Sequence, residues 1–448
     1  MRNMAYQKKF FTVKLLFVSC LIFIVFRLYT LHPNFSDEII YINMARVVSK
    51  GLLPYKDFFY AHPPLHLFLL APIASLGNFS LVKFFISVIG LICILLTYFI
   101  TKKLYDEKTG VITAIAFLIF PGFLIFGNLA MGTFEALLFY LLSFYFLLNR
   151  KTVLSSIFLS LAIFTRYLVV LLVPILVIYL FKYQRKKLSR SIFYFSLINI
   201  LSFTLLYTLF GSDFFISTIL YHFQANIEIS QFAGLGEQYL ALGFFTIFMS
   251  LICLIHGYLK KDSKILLFAF YPLIYDLVIL LIFKQVIYHY FAFMLPFIFV
   301  AFGVTLVKSK LSVVKFSLLT ILALSFFTNL TSLNFYFNED ENKVFNELVD
   351  YTLINTNQDD LIFGSATPTN YVSFVTDRKI VGNYFDSDLK FISFYGKERV
   401  LSEVKNAEPI LIFATQSYAD FFEDNYVLVK VWNKPGYYHF LLLKKGIV

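Results

Sequence analysis

Two adjacent carboxylates, Asp37 and Glu38, open the segment SDEIIYINMARVVSKGLLPYKDFFYAHPPL at residues 36–65, and His62-Pro63-Pro64 closes it. Carboxylates and imidazoles are the side chains that most readily move protons. The acids also fit a plain helix start, with Ser36 as N-cap and two negative charges in the first turn ahead of IIYINMARVV. Two cations farther along, Arg166 in FTRYL and Lys284 in FKQVIYHYF, have the chemistry to hold an anion. A guanidinium grips phosphate in fork geometry, and a lysine neutralises it as a point charge. Glu135, His222, Tyr288 and His289 complete the set of candidates.

The elements that must position these residues are set by composition. Of 448 residues 59% are hydrophobic and only 15% charged, with 58 Phe and 30 Tyr, which excludes an ordinary soluble domain and points to a multi-spanning membrane protein. Apolar runs of roughly 20 residues, the length of a membrane span, recur at 11–31, 80–101, 110–127, 131–149, 152–165, 167–182, 191–210, 239–259, 264–283, 287–307 and 311–332. The first follows Arg2, Lys8 and Lys9 without a small-residue cleavage site and reads as an uncleaved anchor. Cys20, Cys93 and Cys253 all fall inside spans, so neither a disulfide framework nor a CxxC metal pattern is expected.

The formal charge of +11 divides unevenly. Residues 1–335 hold 27 Lys and Arg against 11 Asp and Glu, while residues 336–448 hold 11 against 16. The cations occupy short gaps between spans, such as Lys102-Lys103, Arg150-Lys151, Lys182 to Arg190 and Lys260-Lys261, rather than an exposed nucleic-acid-binding stripe. Positive loops face the cytoplasm. The rule places the amino terminus inside and residues 32–79 outside. About eleven spans then leave the acidic tail outside as well. The apolar stretch Pro63 to Gly77 is too short to cross and is expected as a helix at the outer interface. In the tail, LIFGSA, KIVGNYF, PILIFAT, YVLVKVW and HFLLLKK read as strands, with KVFNELVDYTL and LKFISFYGKERVLSEV as helices, a small α/β domain. Asp359-Asp360 and Thr376-Asp377-Arg378 read as turns.

The topology puts most ionisable residues of the membrane part at the outer boundary: seven of its eleven acids, together with Arg166, Lys284, His62, His222 and His289. Charge there is costly and marks candidate function. Arg166 breaks the positive-inside pattern and so calls for an anionic partner, for which a lipid phosphate qualifies; a snorkelling arginine is the plainer alternative. A transporter would gather its charges near the midplane, where only Asp276 falls.

The run SDE followed by LPYKDFFYAHPPL resembles the first exoplasmic loop of the GT-C fold glycosyltransferases that use polyprenyl-phosphate sugars, a group including the protein O-mannosyltransferases and the lipid A aminoarabinose transferase. FGNLAMGTFEALLFYLL, LAIFTRYLVVLLVP and YHYFAFMLPFIF extend the likeness, which fades in the tail. It implies a mainly α polytopic bundle at 1–335 with a small exoplasmic α/β domain at 336–448. The reaction it implies moves a hexose or pentose from a polyprenyl-phosphate carrier to a hydroxyl on a protein, glycolipid or polysaccharide, with inversion. In such a family the first acid, here Asp37, takes the acceptor proton, and Glu38 orients it or raises its pKa. Arg166, Lys284 and His62 would bind the donor phosphate, while Glu135, Tyr288, His289 and His222 would line the sugar or acceptor. Glu135 stands where relatives often carry Asp. Relatives in the aminoarabinose branch pair a histidine of the 211–238 loop with an acid before the turn. That position is Ala61 here, so no required metal is expected, although Glu228 and Glu237 leave a divalent cation open. Helix-start and interface-packing roles stay open for Glu135, Tyr288 and His289. A polysaccharide polymerase or ligase is the alternative enzyme, and a lipid or sugar transporter the alternative class.

Overall fold

The computed structural model describes residues 2–33, 37–224, 235–279, 288–330, 340–387, 392, 394–414, 426–434 and 437–444. In chain order its helices are α1 (Arg2–Leu28), α2 (Glu38–Ser49), α3 (Leu65–Ala74), α4 (Phe79–Leu104), α5 (Glu107–Leu118), α6 (Pro121–Phe126), α7 (Thr133–Leu148), α8 (Thr152–Thr165), α9 (Val173–Tyr183), α10 (Leu188–Phe215), α11 (Tyr221–Gln224), α12 (Leu235–Lys260), α13 (Ser263–Val278), α14 (Leu295–Lys308), α15 (Ser312–Thr328), α16 (Asp340–Asn355), α17 (Ala366–Thr376) and α18 (Lys397–Ala407). The strands are β1 (Leu361–Gly364), β2 (Lys379–Ile380), β3 (Leu411–Ala414), β4 (Tyr426–Lys434) and β5 (Tyr437–Lys444). Two compact units result, one of Met1–Thr30, Phe84–Phe203 and Asn226–Phe337, the other of Leu31–Lys83, Thr204–Ala225 and Asn338–Val448.

The first unit is a bundle of apolar helices that match the expected spans. Among the described residues three helices are long and apolar enough to cross a membrane, Phe79–Leu104, Arg185–Leu220 and Gly243–Lys260, and several shorter apolar helices accompany them. Proline explains much of the shortening. The run expected at 110–127 stops at Leu118 and restarts at Pro121, because proline has no N–H for an interior helix bond. The runs at 167–182 and 287–307 begin as 3-10 helices, Tyr167–Leu172 and Tyr288–Phe293. Each passes into an α-helix with proline in its first turn, Pro174 and Pro296. Asp106 and Asp262 cap their helices: Asp106 accepts from the Thr109 N–H at 2.8 Å, and Asp262 from the Lys264 and Ile265 N–H groups at 3.0 and 3.2 Å. α5 and α14 pack closely because residue 303 is glycine, where a Cβ would stand 2.1 Å from Thr113 Oγ1. Phe117 and Phe299 stack across the same contact at 5.3 Å.

The second unit joins the first polar loop, the end of α10 and the tail. Its sheet runs β2-β1-β3-β5-β4, with β1 parallel to β2 and β3, and β5 antiparallel to β3 and β4. All five expected strands are present, because alternating or short apolar runs bounded by turns carry a local signal. Phe363, Ile412, Val400, Leu401 and Val404 form the core between sheet and α18. Gly364 sits at φ +140° with its Cα against β3, where a Cβ would meet Phe413 O at 2.1 Å. α17 carries no strong helical pattern in ATPTNYVSFVT and was not expected. It makes the crossover from β1 to the parallel β2, and Asp377 ends it in the left-handed region at φ 64°, consistent with the turn read there. Within the apolar stretch 63–77, Leu65–Ala74 form α3, which packs against α2.

Candidate functional site

The second unit holds the acid pair, and α2 sends its two members to different surroundings. Asp37 stands at the N-cap position with φ −58° and ψ −15°; its side chain makes no capping bond and is exposed. Glu38 is fully buried, its Oε1 2.7 Å from Lys83 Nζ, and Lys83 is also fully buried. Lys83 belongs to the first turns of α4, inside an apolar run, so its role has no local sequence signature. With that cation in contact, the charge of Glu38 is offset where it arises. The geometry therefore favours Glu38 as an anchor for the helix start over a source of like-charge pressure on Asp37. Ser36, the expected N-cap, lies outside the described residues.

Tyr41 follows Asp37 by one helical turn and shares its face. Its hydroxyl is 2.9 Å from His62 Nε2, a bond in which either group can donate. The Tyr55 hydroxyl donates to the His62 carbonyl at 2.5 Å, and Tyr55 itself occupies the left-handed region at φ 70° between the rings of Phe210 and Phe214. His222 Nε2 donates to Ala61 O at 2.7 Å, and the His222 ring stacks on His62 with centroids 5.6 Å apart. His62 and His222, far apart in sequence, are thus neighbours, with Tyr60 and His66 against Tyr41. The missing acid at Ala61 is answered by its carbonyl, which takes the His222 N–H directly. Among the described residues no group of three His, Cys, Asp or Glu side chains is placed to hold a metal ion.

The first unit holds the second cluster. α8 ends where Arg166 turns extended at φ −156°, followed by a 3-10 turn, and this break directs the guanidinium inward. Arg166 is 4% exposed, so it does not snorkel. It donates to the Met131 carbonyl and, through Nη2, to His289 Nε2 at 3.1 Å. An arginine is always protonated, so His289 accepts at Nε2 and is neutral with its proton on Nδ1. The Tyr290 ring lies 5.9 Å from the guanidinium carbon, and the Tyr290 carbonyl accepts from Tyr275 at 3.1 Å. Glu135 is buried in the first turn of α7, after Gly132 at φ +75°. Arg166 and His289 are thus brought together, and the Met131 carbonyl ties Arg166 to the turn before Glu135. Lys284 and Glu228 lie outside the described residues, as do the side chains of Tyr288 and Glu237.

Residues 61–208 match the family model described as dolichyl-phosphate-mannose-protein mannosyltransferase. That stretch contains His62, Lys83, Glu135 and Arg166, while Asp37, His222 and His289 fall outside it. A search of curated protein sequences gave no match. Among solved structures, ArnT from Cupriavidus metallidurans bound to undecaprenyl phosphate superposes with a TM-score of 0.66 at 14% identity, covering 97% of this chain and 98% of that one. The oligosaccharyltransferase AglB of Archaeoglobus fulgidus, in complex with an inhibitory peptide and a dolichol-phosphate, gives 0.59 at 13% identity over 97% of this chain and 74% of that one. The fold is GT-C. The matched family model and these GT-C neighbours are those of membrane glycosyltransferases, in agreement with the resemblance carried by the first loop. A further structure of the same archaeal enzyme, in complex with zinc and sulfate, gives 0.58 at 13% identity over 95% of this chain and 72% of that one.

Proposed function

We propose that this GT-C protein transfers a sugar from a polyprenyl-phosphate carrier to a hydroxyl acceptor on the exoplasmic side, with inversion and with Asp37 as general base. The observation that carries the reading is the division of the acid pair: Asp37 exposed at the head of a rigid helix, Glu38 buried against Lys83. The carrier phosphate leaves readily, so the acceptor hydroxyl is the group that needs help. A carboxylate on a helix start takes its proton as the oxygen attacks the anomeric carbon. One displacement inverts that carbon.

Tyr41 and His62 supply hydrogen-bonding groups on the face that carries Asp37, and His222 fixes the backbone just before the His-Pro-Pro turn. Arg166 serves the phosphate, held in orientation by Met131 O and His289, with Lys284 as a second cation and Glu135, Tyr288 and His289 toward the sugar or acceptor. Fixed cations stabilise charge that grows on the leaving oxygen, and pre-orientation spares the cost of arranging them during the reaction. Membranes containing the full chain, supplied with labelled polyprenyl-phosphate mannose, glucose, galactose or aminoarabinose, test this reading. Label should pass to a hydroxyl-bearing acceptor from at least one donor; no transfer from any donor would remove the assignment.

A further inference from the structure

The C-terminal domain touches the helix that begins with Asp37, and the contact is built along two matched stripes within the second unit. Asn43, Arg46 and Lys50 lie on one face of α2, at helical spacing. Asn370, Phe374 and Asp377 lie along α17 or at its end. Asn43 Nδ2 donates to Asn370 Oδ1 at 3.0 Å, and both residues are buried. The Arg46 guanidinium carbon sits 5.1 Å over the Phe374 ring, and Arg46 Nη2 is 3.6 Å from Asp377 Oδ1. Lys50 bonds the same carboxylate. Asn370 is fixed in turn, its Nδ2 donating to Ala366 O at 2.7 Å and Phe385 O at 2.6 Å. The Phe385 ring meets Phe58 of the first loop, and Asn383 Nδ2 donates to Asp57 O at 3.1 Å.

A buried amide pair between two helices is sensitive to direction: a small slide or rotation of α2 breaks it and leaves polar groups unmet. The observed arrangement satisfies Asn43, the Ala366 and Phe385 carbonyls, and the Asp377 pairs together. We infer that the C-terminal α/β domain is an internal brace for α2, and that Asn370 is a positioning residue holding the Asp37-bearing helix in one setting. The inference rests on the reading of Asp37 as the base for its catalytic consequence, and on the contacts alone for its mechanical one.

The test is hydrogen exchange on the full-length protein in detergent, paired with transfer kinetics. Asn370→Leu and Asn43→Leu remove one partner each, and the double variant removes both. Lys379→Ala, an exposed residue of the same domain, is the control. In either single variant, exchange over residues 38–49 should rise about tenfold or more while peptides of β1 and β3 keep their protection. In the same variants kcat should fall about tenfold or more at unchanged donor KM, as misplacement of a reacting group does. The double variant removes both ends of the Asn43–Asn370 bond but, like Asn370→Leu, leaves the Phe385 carbonyl without its donor, so its melting temperature and kcat should stay near those of Asn370→Leu. A role in stability alone would leave kcat per folded molecule at the wild-type value in all three variants. Unchanged exchange over 38–49 overturns the brace, whether or not transfer is detected. Raised exchange with unchanged kcat overturns the positioning role. A wild type that transfers nothing sinks the glycosyltransferase reading, while the exchange result still decides the brace.

Discussion

Replacing Lys83 with methionine takes from the fully buried Glu38 the cation it pairs with, and the cost can be worked out. Both side chains have no exposed surface, and 2.7 Å separates their charged atoms. Breaking such a pair costs about 3–5 kcal/mol, because one charge stays behind without its partner. Lys83→Met is therefore expected to be destabilised by about that amount. Glu38→Leu/Lys83→Met, which removes both charges, should lie within about 1–2 kcal/mol of wild type. Thermal unfolding in detergent, read by dye labelling of the buried thiols of Cys93 and Cys253, measures the three proteins side by side. If Lys83→Met matched the double variant, the pair would not be the anchor described.

Other outcomes follow from the same geometry. Tyr41→Phe removes the bond to His62 and should slow transfer about threefold to tenfold, corresponding to one hydrogen bond of about 0.5–1.5 kcal/mol, with donor KM unchanged in steady-state assays. Arg166→Lys keeps the charge but loses the fork shared between Met131 O and His289, so donor KM should rise about tenfold or more; an unchanged KM would detach Arg166 from the donor. Gly303→Val forces a side chain into Thr113 and should cost about 1–3 kcal/mol of stability by thermal unfolding, with no change of KM in the protein that remains folded.

Local signals made much of this legible in the sequence. Apolar runs located the helices, and five short apolar segments located the strands. The acid pair and the His-Pro-Pro turn singled out the loop that now holds Asp37, Tyr41 and His62. What the chain did not disclose depends on distant partners. Lys83 lies within a run read as a span, and its significance appears only when Glu38 is found against it, 45 positions away. Asn43 and Asn370 are 327 positions apart, and neither stands out in its own segment. α17, with Pro368 and several β-branched residues, has weak intrinsic helicity, and its place is fixed by packing and by Asn370. The tail shares one compact unit with 31–83 and 204–225. Periodicity cannot reveal that grouping. Arg27 is a further case: read as part of a span, it is buried with its guanidinium donating to the Phe123 and Leu124 carbonyls at 2.8 and 2.7 Å, which fixes α6.

The most direct measurement is sugar transfer by Asp37→Asn in membranes, with the variant shown to melt within a few degrees of wild type. Asparagine keeps the shape and the helix start but cannot accept the hydroxyl proton. Transfer should fall to background at every donor concentration, while donor binding is retained. Transfer at the wild-type rate would contradict the account at its centre.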